Sequence, residues 1–331
     1  MNTKGQMMSL SPKRVLIIGF GSIGKKHFLA LNKQNLSVDI VSKSADFSSL
    51  KAEFKELSNP TLLENTQIYK SLKELDLNTY KLFIIANITT AHFDTLSFLD
   101  KKVQDKIILV EKPLFENYKK FTPSGKNEIF IAYLLRFNQS IMRLKALLEE
   151  EIQKGQMPYF TSFVCHSYLP SWRKLDYRQN YSAKKELGGG VMLDLSHELD
   201  LALFFFDKLK LSFAQSKQIS ELEINSDDFA FLALSSKKCP IIHIQLDYFS
   251  KFNQRVIQIS TPSKSFELNL NENFIKIYDT KQNCTLIKTE DNTIKTLESL
   301  HKAVFKKDKR LCSLKEAKKL LKLIKKAKNE Q

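Results

Sequence analysis

The feature that most limits what this chain can fold into is Gly19-Phe20-Gly21-Ser22-Ile23-Gly24, placed directly behind the apolar run RVLII at residues 14–18. A short β-rich run, a glycine turn and an apolar pattern of helical period from Ile23 to Leu31 read as strand, tight turn and helix. The G-x-G-x-x-G spacing gives each glycine a separate use. The first permits the turn, the second lets backbone approach a pyrophosphate, and the third lets helix and strand pack closely. The unpaired N–H groups at the helix start favour an anion. Gly19, Gly21, Ser22, Ile23 and Gly24 are therefore candidate dinucleotide contacts. The pattern alone is weak, and its strand–turn–helix setting is what makes it informative.

Further apolar strands are expected at Leu36 to Val41, Lys81 to Asn87, Lys106 to Pro113 and Glu128 to Phe137, with helices between them, for example at 48–57 and 90–99. Buried strands alternating with helices imply a doubly wound parallel sheet of Rossmann type. After about residue 140 the texture changes. A charged helix at 140–154 and a strand at 159–169 are followed by 170–183 without strand character, then Gly188-Gly189-Gly190 and a helix from Val191. Beyond residue 210 short strands predominate and suggest a mostly antiparallel sheet. At the C-terminal end, Leu314, Ala317, Leu320, Leu321, Ile324 and Ala327 form one stripe of a docked amphipathic helix that starts at a Ser313–Glu316 capping box. Pro123 and Gly125 interrupt the pattern, so the expected domains are 1–123, dinucleotide-binding, and 124–331, an α+β substrate-binding unit.

A chain of 331 residues is long enough for two cores. The net charge of +16 comes from scattered lysines and implies a solvated surface attractive to anions. No nucleic-acid motif accompanies it, so nucleic acid is not an expected partner. Cys165, Cys239, Cys284 and Cys312 lie far apart, with neither metal-ligand spacing nor a disulfide framework. No metal is expected, and the thiols fit a reducing, cytoplasmic setting. No apolar run reaches membrane-spanning length, and residues 1–14 lack a signal core.

An acid is usual about 20 residues after the glycine turn, where it binds the ribose of NAD. Asp39 has that spacing but falls inside the second strand, and the strand ends in Val41-Ser42-Lys43-Ser44. Ser42 and Lys43 suit a 2′-phosphate, which favours NADP(H) over NAD(H); the same residues also suit an ordinary surface loop. Glu111-Lys112-Pro113 closes the fourth apolar strand, at the sheet edge where such folds bind ligands. In GGGVMLDLSHELD, Asp194, His197 and Glu198 stand at i, i+3 and i+4 and share one helix face. Two acids and a histidine there suit proton transfer, and equally a helix turn with a satisfied histidine.

Taken in order, GFGSIGKKH, IIANITTAH, LVEKP and GGGVMLDLSHELD resemble the glucose–fructose oxidoreductase / inositol dehydrogenase / MocA family. That resemblance implies a Rossmann domain and a domain with a large, open, mostly antiparallel sheet through which a homodimer or homotetramer forms. It implies hydride transfer between a nicotinamide and a hydroxyl or carbonyl of a sugar or sugar derivative. The family lysine maps to Lys112, often beside a cis peptide, and the helix acid and histidine map to Asp194 and His197. Asn87, Thr89, His92, Glu111 and Lys112 itself fall at the cofactor edge, and Tyr133, Arg136 and Phe137 near the nicotinamide. Here acid and histidine are three apart instead of four, which leaves open whether His197 or Glu198 faces the substrate.

The expected mechanism gives His197 the acid/base role, Lys112 the reacting oxygen and Asp194 the orientation of the hydroxyl. Residues 167–181 are dense in aromatics and arginines. Trp172, Arg173, Tyr177 and Arg178 suit an anionic sugar, such as a sugar phosphate, nucleotide sugar or sugar acid, and equally a packed surface loop. The alternative function is a non-catalytic NADP-binding regulator on the same fold.

Overall fold

The computed structural model describes residues 14–46, 50, 54 and 63–329. The helix expected at 48–57 and the segment 1–13 lie outside these, apart from Leu50 and Phe54, which are buried beside Phe20 and Phe28.

The first sheet runs β3 (Ile68–Tyr69), β2 (Val38–Val41), β1 (Arg14–Ile18), β4 (Tyr80–Ile85), β5 (Ile107–Val110), β6 (Glu128–Ile131). These strands pair in parallel, and β15 (Cys312–Ser313) adds antiparallel to the edge of β6. The order 3-2-1-4-5-6 is the doubly wound arrangement, with its switch point between β1 and β4. β1, β2 and β5 are apolar and buried almost throughout because helices cover both faces. Those helices include α1 (Ser22–Asn32), α2 (His92–Lys102) and, from far along the chain, α6 (Thr293–Lys306), which packs on α1. The expected strand 128–137 is shorter than its apolar run. After Ile131 the chain turns, and Leu134–Phe137 coil as a 3₁₀ turn.

The second sheet runs β14 (Cys284–Lys288), β13 (Phe274–Asp279), β12 (Lys264–Asn269), β11 (Phe249–Ser260), β7 (Phe160–Tyr168), β10 (Ile241–Asp247), β9 (Phe229–Ser235), β8 (Lys210–Lys217). It is antiparallel except where β10 lies parallel to β7. Helices α3 (Gln139–Gln153), α4 (Val191–Asp194) and α5 (His197–Phe206) pack with it. The other face is open and carries exposed Phe213, Ile241 and Phe252.

Arg136 fastens the halves together. Its guanidinium, 1% exposed, binds Asp200 of α5 at 2.7 Å and Glu316 at 3.0 Å in the first turn of α7 (Leu314–Asn329). Desolvating such ions offsets most of their attraction, so this triad specifies where α7 docks more than it adds stability. The expected capping box is present: Ser313 N donates to Glu316 Oε2 at 2.9 Å, and Glu316 N donates to Ser313 Oγ at 3.3 Å. The buried stripe of α7 is Ala317, Leu320, Leu321, Ile324 and Ala327. Among the described residues, no helix is long and apolar enough to cross a membrane.

Candidate active site

The glycine turn sits at the switch point. Gly19 has φ +95°, and a Cβ there would lie 2.4 Å from the backbone of Asn87 at the end of β4. A Cβ on Gly24 would lie 2.3 Å from the Gly19 carbonyl oxygen, so α1 can dock on β1 only with glycine there. Gly21 differs: nothing stands within 4 Å of the position its Cβ would take. Gly21 and Ser22 are exposed, Ile23 is half-buried, and the first turn of α1 holds no acid. This open cradle over a helix N-terminus fits a pyrophosphate. Beside it Asn87 donates to Thr95 Oγ1 at 2.9 Å, while its own carbonyl oxygen Oδ1 is buried without a partner. Thr89 opens the following 3₁₀ turn. His92 is buried, with Nε2 3.1 Å from the Asn87 carbonyl and Nδ1 3.1 Å from that of Pro113, so it ties the Asn87 loop to the Lys112 turn.

Asp39 is not free for a ribose. It is buried and accepts from Arg14 Nε at 2.6 Å, Tyr80 Oη at 2.7 Å and Gln67 N at 2.9 Å. At the end of β2, Ser42 is buried and its Oγ accepts from Ala45 N at 3.2 Å, whereas Lys43 is exposed. Lys70 Nζ donates to the Ala45 carbonyl at 2.8 Å and adds a second cation to this loop.

At the end of β5 the Lys112–Pro113 peptide is cis. Lys112 Nζ donates to the backbone oxygen of Asp194 at 2.5 Å. The Asp194 carboxylate accepts from Tyr248 Oη at 2.6 Å, and the Tyr181 hydroxyl, its pKa raised by burial and by the Asp194 charge, lies close by. Burial, with Asp194 beside it, holds the Tyr248 hydroxyl well above its usual range, so it remains a donor. His197 lies edge-on to Tyr133, with ring centroids 5.6 Å apart, and its buried Nδ1 has no hydrogen-bond partner. Burial pushes its pKa well below the ordinary value, and the charges of Lys112 and Arg255 push it further. It is therefore a neutral imidazole at neutral pH. Glu111 turns inward, its Oε1 2.8 Å from His27 Nε2.

The single helix face expected for Asp194, His197 and Glu198 does not form. α4 ends at Asp194 and α5 starts at His197. The Asp194 carbonyl, which a continuous helix would give to the N–H of residue 198, accepts from Lys112 instead. Glu198 N bonds to Leu195 at 3.4 Å, and the Glu198 carboxylate is buried against Arg255 Nε at 2.7 Å. Of the two open choices, His197 stands beside Lys112 and Glu198 is held by Arg255.

The aromatic–arginine segment divides in the same way. Trp172 packs edge-on to Tyr248 at 5.2 Å, and the exposed Arg173 lies over the Tyr181 ring at 5.2 Å. Arg178 is taken up in exposed pairs with Asp176 and Glu223, and Tyr177 Oη accepts from Glu223 N. A cavity of about 480 Å³ opens beside Arg255. Leu134, Leu195 and Arg255 line it, with the side chains of Asn138, Asn253, Asn271, Asn273 and Asn292. Cys165 also lines it, but burial pushes that thiol up to about 12, so it is no nucleophile at neutral pH. Among the described residues, no group of three metal-ligating side chains occurs.

Three histidines, His92, His197 and His301, are buried with lowered pKa, burial being the first cause in each. The unfolded chain takes up protons on histidine near pH 6.5, and the folded chain does so only below that. The penalty therefore grows as pH falls from about 6.5, by up to about 1.4 kcal/mol per pH unit for each histidine. Urea melts at about pH 7.5 and about pH 5.5 should show a clear loss of midpoint at the lower pH. An unchanged midpoint would contradict these burial effects.

Sequence reasoning missed Tyr248, Arg255 and His301, and reached Tyr181 only as the end of the aromatic segment 167–181. Neither Tyr248 nor Arg255 belongs to a local motif: Tyr248 sits between β10 and β11, Arg255 lies within β11 opposite Cys165 of β7, and tertiary structure alone brings them to Asp194 and Glu198.

No family model and no curated protein matches this chain. Solved structures do. Levoglucosan dehydrogenase in complex with NADH superposes with a TM-score of 0.77 at 14% identity, over 97% of this chain and 98% of that one. UDP-N-acetylglucosamine 3-dehydrogenase GnnA from Acidithiobacillus ferrooxidans gives 0.70 at 14%, over 96% and 97%. A super-repressor mutant of Gal80p from Saccharomyces cerevisiae gives 0.76 at 13%, over 97% and 96%. The chain thus has the fold these structures share, the Rossmann-plus-open-sheet fold implied by its resemblance to the glucose–fructose oxidoreductase / inositol dehydrogenase / MocA family.

Proposed function

We propose that this protein is an NAD(P)-dependent oxidoreductase acting on a hydroxyl or carbonyl of a sugar derivative. The observation that carries this reading is the meeting of Lys112, Asp194 and a neutral His197 at the end of β5, in the same sheet edge as the open glycine cradle. Gly21, Ser22 and Ile23 would hold the pyrophosphate, and Asn87 and Thr89 would flank the path from there to Lys112. When bound, the nicotinamide supplies the hydride acceptor or donor. The chain supplies the proton chemistry. In the oxidising direction Lys112 leaves the Asp194 carbonyl to donate to the substrate oxygen and stabilise its developing charge. Neutral His197 accepts the hydroxyl proton. Asp194, held by Tyr248, orients the substrate.

Three finer readings go with this. The end of β2 presents Lys43 and Lys70 and has no free acid, which supports NADP(H) over NAD(H), although structures of like fold are complexed with NADH or NAD+. The exposed Arg173 over the Tyr181 ring, together with the net charge of +16, supports an anionic sugar. The exposed apolar side chains on the second sheet support a homo-oligomer contact there. Two of the like-folded structures are named dehydrogenases. The Gal80p match keeps the regulatory alternative in view.

The test is titration with NADPH and NADH, then a screen of sugar phosphates, nucleotide sugars and sugar acids against their neutral counterparts, read by nicotinamide absorbance. We expect micromolar dinucleotide binding, tighter for NADPH, and turnover of an anionic sugar. Absence of binding to either dinucleotide rejects the central reading. Binding without turnover of any sugar favours the regulator.

A further inference from the structure

Behind the Lys112 turn, α1 and α6 meet, and two histidines are sealed between them. His27 and His301 are each 0% exposed and lie 274 residues apart in sequence. They form part of a continuous chain of contacts. Glu111 Oε1 is 2.8 Å from His27 Nε2, His27 Nδ1 is 2.8 Å from His301 Nε2, and His301 Nδ1 is 3.4 Å from Gln34 Nε2. At the other end, Glu111 Oε2 accepts from the backbone N–H of Lys112 at 3.1 Å. Gln34 Nε2 also donates to the Ala30 carbonyl at 3.0 Å, which fixes the orientation of its amide.

Only one arrangement of protons satisfies every contact. The Gln34 amide nitrogen can only donate and a carboxylate can only accept, so His301 Nδ1 is an acceptor, the His301 proton sits on Nε2 and points to His27 Nδ1, and His27 carries its own proton on Nε2 toward Glu111. Both imidazoles are neutral, each in one tautomer, and all the dipoles point toward Glu111. In the other tautomer, the lone pair of His27 Nε2 would face the Glu111 oxygen. Burial holds the pKa of His301 well below its usual value, in keeping with a neutral ring. The sequence motif GFGSIGKKH contains His27, but nothing local marks its partner.

We propose that His301 is a positioning residue for the reaction assigned to Lys112: by locking the tautomer of His27 it holds the Glu111 carboxylate, and through it the Lys112 peptide, in register with Asp194 and His197. This rests on the oxidoreductase reading above. The chain makes helix α6, near the C-terminal end, part of the support of the Lys112 turn.

The experiment uses the full chain. Imidazole ¹⁵N shifts of the wild type, assigned with the single variants, should show His27 and His301 both as the neutral Nε2–H tautomer near pH 7. His301→Phe fills the volume without a donor; it should lower kcat about 10-fold or more while KM and dinucleotide Kd stay within about twofold. His301→Gln restores an N–H donor and should recover most of kcat. Wild-type kcat in His301→Phe, no recovery in His301→Gln, or an Nδ1–H tautomer at His27 in the wild type would each overturn the proposal. If His301→Phe does not fold, the wild-type tautomers decide. Both expected tautomers without turnover of any sugar would mean that the oxidoreductase reading has failed and the tautomer lock stands. Normal turnover with the other tautomer would mean that this proposal has failed alone.

Discussion

Lys112→Met lowers kcat/KM by about 10³-fold and leaves dinucleotide affinity within about threefold. The expected size follows from the geometry. Lys112 Nζ already rests on the Asp194 carbonyl at 2.5 Å, part-buried, next to a histidine kept neutral. A cation so placed acts on charge that develops only during reaction, so its loss falls on kcat and not on binding. The cradle of Gly19, Gly21 and Gly24 lies apart from it and is untouched. The same arrangement sets the pH dependence. His197 works as a base only when neutral, so kcat/KM for oxidation falls as pH drops through its lowered pKa, and His197→Asn flattens that limb. Steady-state kinetics and dinucleotide titration of Lys112→Met check the main claim. More than a tenth of wild-type turnover would take Lys112 out of the reaction.

The second large effect separates fold from ligand within a single motif. Gly24→Ala places a Cβ 2.3 Å from a backbone oxygen that cannot move away without lifting α1 off β1. It should cost more than about 3 kcal/mol of stability. Gly21→Val meets nothing within 4 Å, and its extended backbone (φ −78°, ψ −165°) accepts a β-branched residue. Its stability should fall by no more than about 1 kcal/mol, the cost of a poorer N-cap residue than glycine. Yet its side chain would stand over the helix N-terminus, so dinucleotide affinity should fall about 10-fold or more. Denaturant melts and dinucleotide titrations on both variants decide. Wild-type affinity in Gly21→Val would remove the pyrophosphate from this cradle, and a wild-type melt of Gly24→Ala would remove the packing argument.

What was legible in the sequence was what is encoded locally. RVLII followed by glycines gave β1, the turn and α1, and Ser313 with Glu316 gave the start of α7, because propensity and capping act over a few residues. The run EIFIAYLLRF read as one strand because an apolar run cannot show where the backbone turns. The turn follows Ile131, and Arg136 within that run is drawn to Asp200 and Glu316, far along the chain. DLSHE read as one helix for a similar reason. The break at Leu195 and Ser196 accompanies contacts from Lys112 and Arg255, and neither is visible in the pentapeptide. The site residues that escaped notice share this character: Tyr248, Arg255 and His301 act through partners fixed by topology, not by spacing.

The return of α6 and β15 to the first sheet also bears on how the protein is made. The ribosome releases β1 through β6 early, but the helix that seals α1 and the strand that covers the edge of β6 emerge only after the whole second sheet. Until then, the exposed edge of β6 and the uncovered side of α1 remain open to wrong pairing. The half that reads first in the sequence is therefore completed only after the second sheet has been made, when α6 and β15 follow it.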